Sequence, residues 1–125
     1  MSGAILDTGA LVALERGARA IDVLLVQARR QGATLTVPAG CVAQAWRDPR
    51  RQARLANFLR GSNVDIVALD ADDARSVGLL LVASGTTDVV DAHVAVCALR
   101  RGGPVLTSDP EDIETLAPTV RVHRV

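Results

Sequence analysis

The apolar positions fall into short blocks that alternate between two periods. Gly3-Ala4-Ile5-Leu6 is an unbroken apolar run that stops at Asp7-Thr8-Gly9, the pattern of a buried strand delivering a polar tip. Ala10 to Arg16 then suits a short helix. Ala20, Ile21, Leu24, Leu25 and Ala28 recur at helical spacing, which predicts an amphipathic helix over about 18–31, closed by Gly32. Thr34 to Val37 is a strand stopped by Pro38. Two helices are expected at about 39–47 and 49–60, the second with Leu55, Phe58 and Leu59 inward and its arginines outward.

The second half repeats the alternation. Asp65 to Leu69 is a strand, and Asp70, Asp72 and Asp73 crowd the start of the helix after it, where the helix dipole favours negative charge. Val77, Leu80 and Leu81 form that helix's buried stripe. Thr86-Thr87 leads into a helix over about 88–101 with a stripe of Ala92, Ala95 and Leu99. Pro104 to Thr107 is a strand, Asp109 to Leu116 a short helix, and Thr119 to Val125 a last strand. Strands alternating with helices predict one α/β domain over residues 1–125, with a central parallel sheet of about five strands and helices on both faces.

Composition narrows this little: 49% of residues are hydrophobic and 22% charged, ordinary for a globular chain of 125 residues. Trp46 and Phe58 are the only aromatics, so the chain lacks the platforms on which RNA-recognition sheets stack bases. Cys41 and Cys97 sit among apolar neighbours without metal-ligand spacing and are expected as buried free thiols of a reducing compartment. No apolar run approaches the ~18 residues of a membrane span, and no signal peptide precedes the first strand, so a cytoplasmic protein without membrane contact is expected.

Charge changes the picture more. The net charge is zero and every basic residue is an arginine. Residues 1–64 nevertheless carry nine arginines against four acids, and residues 65–125 five against ten. Neutrality excludes a generic basic coat for nucleic acid, but it is the sum of a positive half and a negative half.

The negative charge has a pattern. Ligands of an open parallel sheet collect at the carboxyl ends of its strands. Two predicted strands end there in acid, at Asp7 and at Asp109. Asp88 and Asp91 lie one helical turn apart, and Asp91 shares its face with the small apolar Ala92, Ala95 and Ala98. An isolated aspartate on such a face is costly to bury without a partner or a metal. Each acid also has a plainer use. Asp109, with Asp112 three residues on, suits a helix cap, as does Asp88, whereas a cap needs no buried approach like that to Asp7. Three acids on one sheet edge without lysine call for a divalent cation, and hard oxygen donors select Mg2+ or Mn2+ over zinc.

Other acid-dependent chemistries fail on particular residues. Receiver domains and haloacid-dehalogenase phosphatases need a lysine, which this chain lacks. It has neither GxxxxGK[ST] nor GxGxxG, and no nucleophile elbow for a serine triad. His93 and His123 lack ligand spacing, and His93 points off the acidic face. Ile5 to Ala10 reads like the active-site turn of retroviral-type aspartic proteases, but that fold is nearly all β and this chain has at least five helical segments.

Asp7 after an N-terminal apolar strand, Asp91-Ala92-x-x-Ala95, and Thr107-Ser108-Asp109-Pro110-x-Asp112 together resemble a PIN domain, and more narrowly the VapC-type toxins of bacterial toxin–antitoxin pairs. The likeness spans essentially the whole chain. It implies an endoribonuclease that cleaves RNA phosphodiester bonds with metal-activated water, its Mg2+ or Mn2+ held by Asp7, Asp91 and Asp109. Asp88 falls where many relatives carry a further acid, and Thr8, Gln44, Ser108 and Asp112 would support the site. The resemblance also implies a cognate antitoxin that inhibits the enzyme, and a homodimer. Arg47, Arg51 and Arg54, expected on one helical face, would hold RNA backbone. One residue departs from the pattern. Such domains usually carry glutamate where this chain has Gln44, which offers an oxygen but no charge. The alternative is therefore a catalytically weakened PIN-fold module acting through antitoxin or RNA binding.

Overall fold

A computed structural model describes residues 3–125. In chain order the elements are β1 (Gly3–Leu6), α1 (Thr8–Glu15), α2 (Arg19–Arg30), β2 (Thr34–Pro38), α3 (Ala39–Ala45), α4 (Ala53–Leu59), β3 (Val64–Val67), α5 (Ala71–Ser84), α6 (Val89–Arg101), β4 (Val105–Thr107), α7 (Pro110–Leu116) and β5 (Val122–Arg124). The five strands form one sheet in the order β3-β2-β1-β4-β5, and every pairing is parallel. The expected α/β architecture is present.

Strand order explains the layers. From β1 the chain steps outward to β2 and β3, then crosses back to β4 beside β1 and on to β5. Right-handed crossovers that run in opposite directions put their helices on opposite faces. Accordingly α1 to α4 pack on one another, and α5, α6 and α7 pack together as a second group. The central strands are buried on both faces, whereas the edge strands β3 and β5 are partly exposed. All four residues of β1 and all three of β4 are buried, so these segments read as continuous apolar runs rather than alternations. Helix α6 is enclosed from Ala92 to Ala98, between the sheet and α5, whose Val77 joins Ala92, Ala95 and Val96 in a smaller cluster. Small side chains let α5 approach α6 closely there.

Several expectations are corrected. The helix expected over 49–60 begins only at Ala53. Asp48 precedes Pro49, a setting that disfavours helical backbone. The Gln52 side chain stabilises the connection instead: its Oε1 accepts from the Arg47 and Asp48 amides at 2.7 and 3.0 Å, and its Nε2 donates to the Ala45 carbonyl at 2.8 Å. Pro38 does not stop β2 but is its last residue, paired with Val67. Leu99 is half exposed rather than part of the buried stripe of α6. Among the described residues no single helix is long and apolar enough to cross a membrane.

Candidate active site

The order β3-β2-β1-β4-β5 creates a topological switch point between β1 and β4, from which the chain departs to opposite sides. A crevice opens at the carboxyl ends of such a strand pair. Asp7 follows β1 and Asp109 follows β4, so the two predicted strand-end acids flank this crevice.

Close backbone approach then gathers the rest. A Cβ on Gly9 would overlap the Ser108 side chain and come within 3.3 Å of its amide nitrogen, so glycine there lets the β4–α7 loop lie against the first turn of α1. A Cβ on Gly40 would meet the Val90 side chain at 3.1 Å, so glycine likewise lets α3 approach the start of α6. The first contact draws Asp109 toward Asp7. The second draws Asp88 and Asp91 toward α3, whose Cys41 thiol feels the charges of both Asp7 and Asp91. The sequence places Gly9 in the polar tip after β1 and gives Gly40 no visible role. The Asp-Thr-Gly triplet was the available signal for the first.

The acids are held differently. Asp7 is buried and caps α1, its Oδ1 accepting from the Ala10 amide at 2.9 Å, which corrects the expectation that its buried approach set it apart from caps. Asp88 caps α6 by accepting from the Asp91 amide at 2.9 Å. Asp109 stands at the cap position of α7 but makes no capping bond with its side chain, so the capping arrangement with Asp112 is not formed. Its amide donates to the buried Thr107 hydroxyl at 2.9 Å, and the Ser108 hydroxyl reaches its Oδ2 at 3.4 Å. Thr8 opens α1 and donates its hydroxyl to Gln44 Oε1 at 2.6 Å.

Electrostatics show which acids belong together. Burial pushes the Asp91 carboxyl up to about 6, and the strongest charges adding to that push are Asp88, Asp112, Asp7 and Asp109, all carboxylates. Burial also raises Asp7, partly offset by hydrogen bonds from the Thr107 hydroxyl and the Ala10 and Gly9 amides, with Asp109 adding repulsion. None of the five acids forms an ion pair among the described residues. A crevice of crowded carboxylates, with Asp7 and Asp91 raised, is a donor set that fits a hard divalent cation. No three of them, however, bring ligand oxygens within 4.8 Å of one another.

A different group does meet that spacing. Asp73, His93 and Cys97, all buried between α5 and α6, have ligand atoms within 4.8 Å of one another. Their charges are already balanced. His93 Nε2 lies 2.6 Å from Asp73 Oδ2, Arg100 pairs with the other Asp73 oxygen, and burial keeps the Cys97 thiol protonated up to about 11. Asp73, expected merely to complement the α5 dipole, is thus the anion that ties α5 to α6. His93 points away from the acidic face, as expected.

The arginines are corrected too. Arg47 and Arg51 lie in the connection between α3 and α4 and only Arg54 is on α4, so the three do not share a helical face. Arg47 Nη1 donates to the Ala43 and Trp46 carbonyls at 2.9 Å, closing the end of α3. Arg54 pairs with Asp22 at 3.4 Å, and Arg51 is almost fully exposed. Sequence reasoning missed Arg124, whose guanidinium donates to the Ser108 carbonyl at 3.0 Å and Glu111 Oε1 at 3.1 Å, bracketing the loop that carries Asp109. Nothing in the sequence signals that contact before the β4–β5 register is known.

Comparison with known proteins agrees with this fold. The family model described as PIN domain matches residues 4–117. No curated protein sequence matches the chain. The chain is similar to the DNA-bound VapBC of Salmonella typhimurium (19% identity, 99% of this chain and 98% of that one, TM-score 0.71). It is also similar to VapBC2 of Rickettsia felis bound to a promoter DNA fragment (15%, 98% of each chain, 0.69). A third similar structure is VapC20 of Mycobacterium tuberculosis, a sarcin-ricin-loop-cleaving toxin (15%, 87% of this chain and 92% of that one, 0.66).

Proposed function

Because the chain belongs to the PIN-domain family, we propose that it is a divalent-cation-dependent endoribonuclease of the VapC toxin type, cytoplasmic and restrained by a cognate antitoxin. The observation that carries this is the crevice itself: five aspartates from three separate stretches of chain, with Asp91 raised to about 6 and no cation among the described residues paired to any of them. Such crowding raises the energy of the ionised Asp7 and Asp91.

Asp7, Asp91 and Asp109 would hold Mg2+ or Mn2+, with Asp88 and Asp112 adding negative potential. When bound, such a cation activates water as a nucleophile and stabilises charge on the phosphate and the leaving oxygen. The chain's own groups set the stage. The Ala10 amide and the Thr107 hydroxyl hold the Asp7 carboxylate; the Thr107 hydroxyl also orients the Asp109 amide; Ser108 bonds the Asp109 carboxylate. Thr8 and Gln44 close one rim through their 2.6 Å contact. Asp91 must lose its proton to act as a ligand, so cation affinity falls as pH drops through about 6. Of the expected RNA contacts, Arg51 and Arg54 form surface pairs with Asp48 at 3.7 Å and Asp22 at 3.4 Å, Arg51 the more exposed of the two, whereas Arg47 is engaged at the end of α3.

Two apolar surfaces support protein partners. One is a cavity of about 500 Å3 lined by Val42, Trp46, Ala56 and Leu59. The other runs over α5 and α6, where Leu79 and Val82 are 74% and 84% exposed beside Leu99. An antitoxin and a second copy of the chain would dock on such surfaces.

Purified protein incubated with structured RNA should cut it with Mn2+ or Mg2+ and not with EDTA. A second reading rests on Gln44: with no acid at that position, the domain would bind antitoxin or RNA without cutting. It is favoured instead if wild-type protein leaves every RNA intact and Gln44→Glu cleaves.

A further inference from the structure

The crevice poses a difficulty for an RNA substrate, since it is lined by acceptors and must receive a polyanion. Side-chain donors at its border are therefore informative, and most are committed. The Thr8 hydroxyl donates to Gln44, the Ser108 hydroxyl to Asp109, and the Arg124 guanidinium to Ser108 and Glu111. Thr107 accepts from the Asp109 amide and donates toward Asp7.

Gln44 differs. It is exposed, one helical turn beyond Cys41, whose thiol contacts Thr8 and feels Asp7 and Asp91, so this face of α3 borders the crevice. Its Oε1 is taken by the Thr8 hydroxyl, and its amide nitrogen donates to no group among the described residues. A side-chain amide is planar. Anchoring the oxygen on Thr8, the residue next to Asp7, turns the N–H2 away from Thr8 and into the solvent at the crevice rim.

We propose that Gln44 is a substrate-positioning residue, whose Thr8-anchored amide donates a hydrogen bond to a non-bridging phosphate oxygen of RNA entering the acidic crevice. This assignment rests on the nuclease function proposed above. It makes a neutral residue there useful: a carboxylate could accept the Thr8 hydroxyl equally well, but would offer phosphate no proton and add a like charge. Thr8 in turn acts through Gln44.

The test uses the full chain, fluorescein-labelled single-stranded RNAs of several unrelated sequences, anisotropy in Ca2+ for affinity, and cleavage in Mn2+ for KM and kcat. Gln44→Met keeps the length of the side chain and removes the donor. It should weaken RNA binding about tenfold for every sequence, as expected for a lost bond to a charged acceptor. KM should rise with kcat within a few-fold and the melting temperature unchanged. Gln44→Glu should bind at least as weakly. Thr8→Val should weaken binding less than Gln44→Met, and the double variant no more than Gln44→Met alone, because the two act through one contact.

Wild-type affinity in Gln44→Met overturns the proposal, as does a loss confined to one sequence, which would mean a base contact. A rise in kcat in Gln44→Glu also overturns it, by making this position part of the cation's shell. RNA binding without cleavage by the wild type removes the nuclease function alone and leaves the affinity series to decide Gln44. No RNA binding by the wild type overturns both.

Discussion

Helix α6 meets two groups of aspartates that the fold treats in opposite ways. Midway along it, Asp73 reaches across from α5 to His93 and Arg100 and is covered from solvent. Hydrogen bonding from His93 holds its carboxyl below the ordinary value, with Arg100 adding to the effect against the cost of burial. At the start of the helix, Asp91 sits with Asp88, Asp112, Asp7 and Asp109 and is raised to about 6. The balanced acid serves the fold. Asp91, raised by burial and by its neighbours' charges, weakens it, and crowding without cations marks a place kept for a ligand rather than for stability. Closeness alone misleads here, because the buried trio within 4.8 Å is already neutralised and the proposed site is looser.

If the comparison is right, substitutions in the two groups diverge. The largest effect belongs to the crowded group: Asp91→Asn should lower metal-dependent RNA cleavage roughly 10³-fold, the several kcal/mol that a catalytic cation contributes. Asp73→Ala should act on stability instead. It strands a buried His93 without its anion, and because Arg100 is half exposed the loss should be about 2 kcal/mol, seen as a melting temperature lower by about 5–10 °C. The same Asp91→Asn that removes cleavage should stabilise the metal-free protein by about 1 kcal/mol near neutral pH, after allowance for solvent screening. Smallest of all is the change beside Asp73: Asp72 and Arg75 form an exposed pair at 3.0 Å, and Arg75→Ala should shift stability by less than about 0.5 kcal/mol.

The two groups also respond to pH with opposite sign. Asp91 keeps its proton up to about pH 6 when folded and up to 3.8 when unfolded, so the folded state carries the extra proton between those values. Its contribution therefore falls as pH rises from about 4 to 6, and the stabilising effect of Asp91→Asn should vanish at about pH 4. Asp73 titrates below 3.8 when folded, so its contribution is complete above that value and is lost as pH falls further. Denaturation midpoints over an acid series, for wild type and each variant, separate the two slopes.

What the sequence made legible follows from what is local. The runs Gly3 to Leu6 and Pro104 to Thr107 were plain as buried strands, and strand ends are where a parallel sheet presents its ligands, so Asp7 and Asp109 could be singled out. Asp88 and Asp91 were tied by helical period, and Asp88 does cap α6. The pairing of Asp73 with His93 spans twenty residues and depends on how α5 lies on α6, which no periodicity encodes. The break at 46–52 is not legible because Pro49 marks only the backbone constraint, while the Gln52 side chain that completes the loop looks like any surface residue. Asp7 as a cap was missed because β1 enters α1 without an intervening loop, so one residue ends the strand and begins the helix.

The central claim is that Asp91 and its neighbours form a cation site held open at an electrostatic cost. Melting temperatures with and without Mn2+, at about pH 8 and about pH 5, for wild type and Asp91→Asn, test it most directly. Metal at roughly a hundred times its dissociation constant should stabilise the wild type at the higher pH by about 2.7 kcal/mol. The shift should shrink at about pH 5, where Asp91 is protonated, and nearly disappear in Asp91→Asn. A wild-type melting temperature that Mn2+ leaves unchanged at the higher pH, or a shift of equal size in Asp91→Asn, would contradict it.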